Sequence, residues 1–148
     1  MTDLLTISML ISGGLFAGGV ASIAWERLPA WRATGLADFL VAFAHTLRRV
    51  DRLQPALLVV CLVSTIGFAV DADGPARTAA LVAVAGFLAI LVGSVALLVP
   101  VQRRLMASGT ELPPLEAERL RNLWVHGHVI RTVVALVALV FVVVAATS

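Results

Sequence analysis

Residues 129–146 read VIRTVVALVALVFVVVAA, an unbroken apolar stretch whose one charge is Arg131. Crossing the hydrocarbon core of a bilayer as an α-helix takes about 20 predominantly apolar residues. Backbone groups in lipid have no water to bond, so such a stretch must be helical. Three further runs read the same way, giving expected spans at about 4–25, 53–70, 78–101 and 123–146. The last helix is expected to start earlier, near Leu115, with Glu116 and Glu118 in its first turn, where the helix dipole favours carboxylates.

Composition agrees. Of the 148 residues, 60% are hydrophobic and 14% charged. Soluble domains are nearer 45–50% apolar and about 25% charged. A water-soluble domain this small has too little interior for so much apolar surface. The expected fold is therefore all-α: an integral membrane four-helix bundle in one domain. The basic residues are spread along the interhelical stretches and form no dense patch, which argues against nucleic acid as a partner. Cys61 is the single cysteine and sits in an apolar run, so no internal disulfide or CxxC chemistry is available. Met1-Thr2-Asp3 lacks the positive start of a cleaved signal peptide, so the first run reads as a retained helix.

The connection Glu26–Arg52 has mixed polarity. Ala37, Leu40, Val41, Ala44 and Leu47 recur at helical spacing, and Asp38, His45 and Arg48 lie between them. This predicts an amphipathic helix at the membrane interface after the first span. Asp71-Ala72-Asp73-Gly74-Pro75 reads as a tight turn, and Gly109 with Pro113-Pro114 breaks the third connection. Arginine counts set the expected orientation. The first connection carries Arg27, Arg32, Arg48, Arg49 and Arg52, and the third carries Arg103, Arg104, Arg119 and Arg121, against Arg77 alone in the second. Basic loops stay cytoplasmic, which places both termini outside a plasma membrane. The absence of lysine leans toward a bacterial one.

Chemistry concentrates at the start of the fourth span. Arg121, Trp124, His128 and Arg131 are spaced 3, 4 and 3, so they share one helix face. A charge inside an apolar run is costly and should face the protein interior with a partner. Glu26, ending the first run at the same level, is the expected partner of Arg131; the pair either locks two helices or lines a polar pocket. His126 and His128 point about 200° apart on a helix, so they cannot grip one metal together; a metal would need Glu26 or His45 as well. No metal is expected. Trp25, Trp31 and Trp124 lie where an interfacial aromatic belt would. Gly14 and Gly18 form a GxxxG pair, extended by Ser22, which suits close packing inside the protein or in a homo-oligomer. Pro100 is expected to kink the third helix and free carbonyls near Gln102.

The glycine-rich first helix, VPVQRRL at residues 99–105, and Trp124, His128 and Arg131 together resemble the anthrone-oxygenase-like family of small four-helix membrane proteins. Gln102 stands where that family usually has Asn. The resemblance implies oxidation of an aromatic, quinone-like lipophile by O2 with neither metal nor flavin. On that footing His128 is the base and Arg131 the cation that holds a phenolate-like oxygen, with Glu26 beside it. Trp124, Gln102 and Arg121 bind the substrate. Two other classes compete. A non-catalytic subunit of a larger membrane complex would use the glycine stripe and the basic loops. A transporter would need polar residues across the whole bilayer, and this chain places them near one end.

Overall fold

The computed structural model of the chain describes residues 2–50, 53–107 and 112–148. The described residues are almost wholly helical and contain no strand. Arg52 and Gly109, named above, lie outside them. Four long helices have the length and hydropathy to cross a membrane: Asp3–Ala33, Leu53–Asp71, Gly74–Ala107 and Pro114–Thr147.

The first of these consists of α1 (Thr2–Ser22), a π-helical turn (Ile23–Arg27) and α2 (Leu28–Ala33). The amphipathic α3 (Leu36–Val50) follows, then α4 (Leu53–Asp71). The third is α5 (Gly74–Gly93), a second π turn (Ser94–Leu98) and α6 (Val99–Ala107); the fourth is α7 (Pro114–Thr147). α1 packs on α4 and α7, and α5 packs on the same two. The core is layered along the helices. One layer centres on Phe16 and Phe87, edge to face at 6.3 Å, with alanines such as Ala83 and Ala138 where α5 and α7 approach closely. The other holds Trp31, Phe39, Phe43, Leu105 and Trp124.

Both π turns have the same cause. Pro29 and Pro100 each stand two residues past one. A proline inside a helix lacks its N–H and its ring crowds the carbonyl four residues back. The chain widens by one residue just before it: Leu28 N–H bonds to Ile23 O, and Val99 N–H to Ser94 O, five residues back. Pro100 is thus absorbed and the helix continues to Ala107. Gly74, with φ of +55°, makes the tight turn into α5, a conformation glycine takes without steric cost.

Helix α3 is amphipathic, but its buried stripe is Phe39, Phe43 and Leu47, spaced four apart. Ala37 and Val41, expected on that face, are exposed. The phenylalanines win because they bury far more area than alanine and meet Trp31 and Trp124 at 4.8–5.9 Å between ring centroids. Glu116 binds Arg104, tying the start of α7 to α6.

The glycines of α1 correct a second expectation. Gly14 and Gly18 face open space, so they do not serve packing within the chain. Gly13 and Gly19 do: a Cβ on Gly13 would lie 3.1 Å from Cys61 Sγ, and one on Gly19 would lie 2.5 Å from Gln54 Nε2. Across the α5–α7 seam, a Cβ on Gly86 would stand 3.0 Å from the Ala138 Cβ, which cannot rotate away. Gly14→Ala and Gly18→Ala should therefore leave thermal stability in detergent unchanged or raise it by up to about 1 kcal/mol through helix propensity. Gly86→Ala should lower it by about 1–3 kcal/mol through overpacking. Equal behaviour of the three variants would refute this assignment of faces.

Candidate functional site

Arg131 enters the interior from α7, one turn below His128. An Arg131 guanidinium N–H donates to His128 Nδ1 at 2.9 Å, and His128 Nε2 meets the Val20 carbonyl of α1 at 3.1 Å. Thr132 Oγ1 donates to the His128 carbonyl at 2.9 Å and reaches Val20 O at 3.4 Å. Guanidinium only donates and a carbonyl only accepts. His128 is therefore neutral, with its proton on Nε2. Trp124 stacks on the imidazole, centroids 4.9 Å apart and planes 19° from parallel. Arg131, His128 and Val20 form one chain of polar contacts between α7 and α1.

The expected Glu26–Arg131 pair does not form. Glu26 lies in the first π turn with its side chain 70% exposed, and its ion-pair partner is Arg27 at 3.7 Å. The helix runs past Glu26 to Ala33 instead of ending there, and the turn points that carboxylate outward. The remaining predicted site residues divide. Arg121 lies over the Phe39 ring, 5.6 Å from its centroid. Trp124 is 1% exposed, wedged among Trp31, Phe43 and His128. Trp31 is buried as well, so neither belongs to a lipid-facing belt, whereas Trp25 is 88% exposed. Among the described residues no three His, Cys, Asp or Glu side chains gather as a metal site would require.

Two cavities flank Arg131. The outer one, about 530 Å³, is a groove between α7 and the helix running from α5 through the π turn into α6. Its walls are apolar, from residues such as Ile90, Leu97, Val101 and Ile130, with Arg131 and His126 as its charged and titratable groups. Leu97, Leu123 and Ile130 are exposed, so the groove opens sideways toward lipid. The inner chamber, about 120 Å³, is lined by Phe16, Leu58, Trp124, Gln54, Gln102 and Arg131 among others. Ser94, Leu98 and Arg131 line both. Leu98 is seated over Gly127, where a Cβ would come within 2.5 Å of its Cδ2.

Sequence reasoning missed several of these parts. His126 was set aside in favour of His128, yet it lines the groove. Its Nδ1 lies 2.7 Å from the Asn122 carbonyl, which can only accept, so Nδ1 carries a proton. Gln54, Ser94 and Leu98 carried no motif; the one available signal was Pro100, which announces a disturbed turn just upstream.

A buried cation–imidazole link beside a lipid-facing groove, on four long apolar helices, marks a small multi-pass membrane protein with a groove near one end of its spans. The family model for anthrone oxygenase matches residues 43–141, and the chain belongs to that family. No curated protein and no solved structure matches it.

Two measurements check this geometry. The ¹⁵N shifts of His128 should report the neutral Nε2–H tautomer. His128→Leu leaves an arginine N–H without its acceptor inside the protein, and stability should fall by about 1–3 kcal/mol. Glu26→Gln should change stability by less than about 0.5 kcal/mol, as for an exposed pair.

Proposed function

We propose that this protein is a membrane oxygenase that takes a flat aromatic lipophile sideways from the bilayer into the outer groove and oxidises it with O2. The observation that carries the reading is Arg131, the one charged group on the wall of a 530 Å³ apolar groove. Family membership supplies the reaction class.

The chemistry needs a base and a stabilised oxyanion. A ring CH2 activated by a carbonyl loses a proton to give an enolate. Arg131 stands ready to stabilise the enolate oxygen, an interaction that gains strength in a dry site. His128 is poorly placed as the base, since both its nitrogens are already bonded; it positions Arg131. His126 is the better base, because its Nε2 lone pair is available on the groove. The enolate carbon then reacts with O2. The net change is CH2 + O2 → C=O + H2O, with the substrate as the reductant. Nothing in this balance requires a further electron donor. The basic connections face the cytoplasm of a plasma membrane and the termini face outward, on the arginine distribution.

A second reading, a subunit of a larger membrane assembly or of a homo-oligomer, has one observation in its favour. Gly14, Gly18, Ser22 and Trp25 follow one another on the outer face of the first span and touch no other helix closely. That reading predicts co-purification at fixed stoichiometry and no turnover.

The discriminating assay is O2 uptake and quinone absorbance with a tricyclic anthrone and the protein purified in detergent. Turnover above the empty-micelle rate is expected. Arg131→Met should lower kcat by about 10²–10³-fold, and His126→Gln by about 10²–10⁴-fold. Absence of turnover in the folded wild-type protein would discard the oxygenase reading for this substrate class.

A further inference from the structure

Gln54 lies at the start of α4, 8% exposed, and its Oε1 has no hydrogen-bond partner. Buried amide oxygens are nearly always bonded, so an orphan beside a cavity calls for a ligand. The amide is on the wall of the inner chamber, together with Gln102 and Arg131. Apart from Ser94, the remaining wall is apolar and includes Phe16, Leu58 and Trp124. We propose that the inner chamber binds a neutral single-ring phenol, its ring among these apolar side chains and its hydroxyl on the Gln54 amide.

Size and polarity both select this ligand. The chamber measures about 120 Å³, and an engineered apolar cavity of about 150 Å³ binds benzene. The chamber is somewhat smaller than that cavity, so it seats one ring at most and excludes a fused tricycle. An orphaned carbonyl oxygen needs a donor, which a simple anion does not offer. A cation would meet the Arg131 guanidinium. A plain hydrocarbon ring would leave the amide unbonded, at a cost of about tenfold or more in affinity. A phenol donates its O–H to the amide oxygen and presents its own oxygen to the guanidinium or to the Gln102 amide. This inference does not rest on the oxygenase reading, because the chamber lies behind the Leu98 wall and its test measures no turnover.

The test uses the full chain in detergent, with ¹⁹F NMR of 4-fluorophenol and fluorobenzene and empty micelles as the reference. The expected result is saturable binding of 4-fluorophenol, at least about tenfold tighter than fluorobenzene. Gln54→Met keeps the side-chain volume and removes the amide. It should bring the two ligands to similar affinity without lowering the thermal midpoint, since it removes a buried unbonded group. Leu58→Phe, which fills the chamber and leaves the amide in place, should abolish binding of both. A hydroquinone with a decyl tail displaces 4-fluorophenol if the natural occupant is the head of a membrane quinol. If only tail-free phenols displace it, the occupant is a small free phenol. No saturable binding to the wild-type protein, or a preference for phenol that survives in Gln54→Met, would overturn the proposal.

Discussion

The structure is organised around the charge of Arg131. A guanidinium inside an apolar span is costly, up to roughly 2.5–3.5 kcal/mol on insertion scales for a site at the bilayer centre. The protein meets that cost with a neutral imidazole and a main-chain carbonyl, and no carboxylate stands opposite Arg131 among the contacts described above. A carboxylate would have neutralised the arginine. An imidazole bonded to a carbonyl holds the guanidinium in place. The same link ties α7 to α1, and the stacked Trp124 keeps water from the imidazole.

That choice of partner shapes everything nearby. Held by His128, Arg131 lies on the wall of both cavities. Both nitrogens of His128 are committed, whereas His126, on the opposite face of α7, has only its Nδ1 on the Asn122 carbonyl among the contacts described above. Gly127 between them admits Leu98, and Leu98 divides groove from chamber. The π turn that carries Ser94 and Leu98 exists because Pro100 follows it. A backbone irregularity forced by one proline thus supplies the wall that two cavities share.

The apolar spans and the inward-turned polar face of α7 were legible in the sequence. Run length against bilayer thickness decides the spans, and the spacing of Arg121, Trp124, His128 and Arg131 decides which side of α7 turns inward. The partner of Arg131 was not legible. Charge complementarity pointed to Glu26, but the acceptor is His128 Nδ1, oriented in turn by the Val20 carbonyl that accepts from Nε2, and a carbonyl leaves no trace in a sequence. The faces of α1 were ambiguous for a different reason. Gly14 and Gly18 share one face while Gly13 and Gly19 lie about 120° to either side of it, and the GxxxG spacing picked the outer face. In α3 the alanines at helical spacing competed with Phe39 and Phe43. Weighting positions by buried area, and not by apolar character alone, would have chosen the phenylalanines.

The two proline-linked π turns suggest how such a small chain can be both rigid and open. A continuous α-helix bonds every interior N–H four residues back and offers its neighbours a regular surface. The inserted residue in Ser94–Leu98 rotates the following helix relative to α5, so α5 and α6 cannot both lie flush against the straight α7. The mismatch leaves the groove on one side and the chamber on the other. The first π turn has the same spacing to Pro29, yet its outcome differs, because α2 carries Trp31 and α3 brings Phe39 and Phe43 to fill the space beside it. Identical backbone devices thus yield a packed aromatic core at one place and a ligand-sized opening at the other, and the difference lies in whether large side chains are present to occupy the gap.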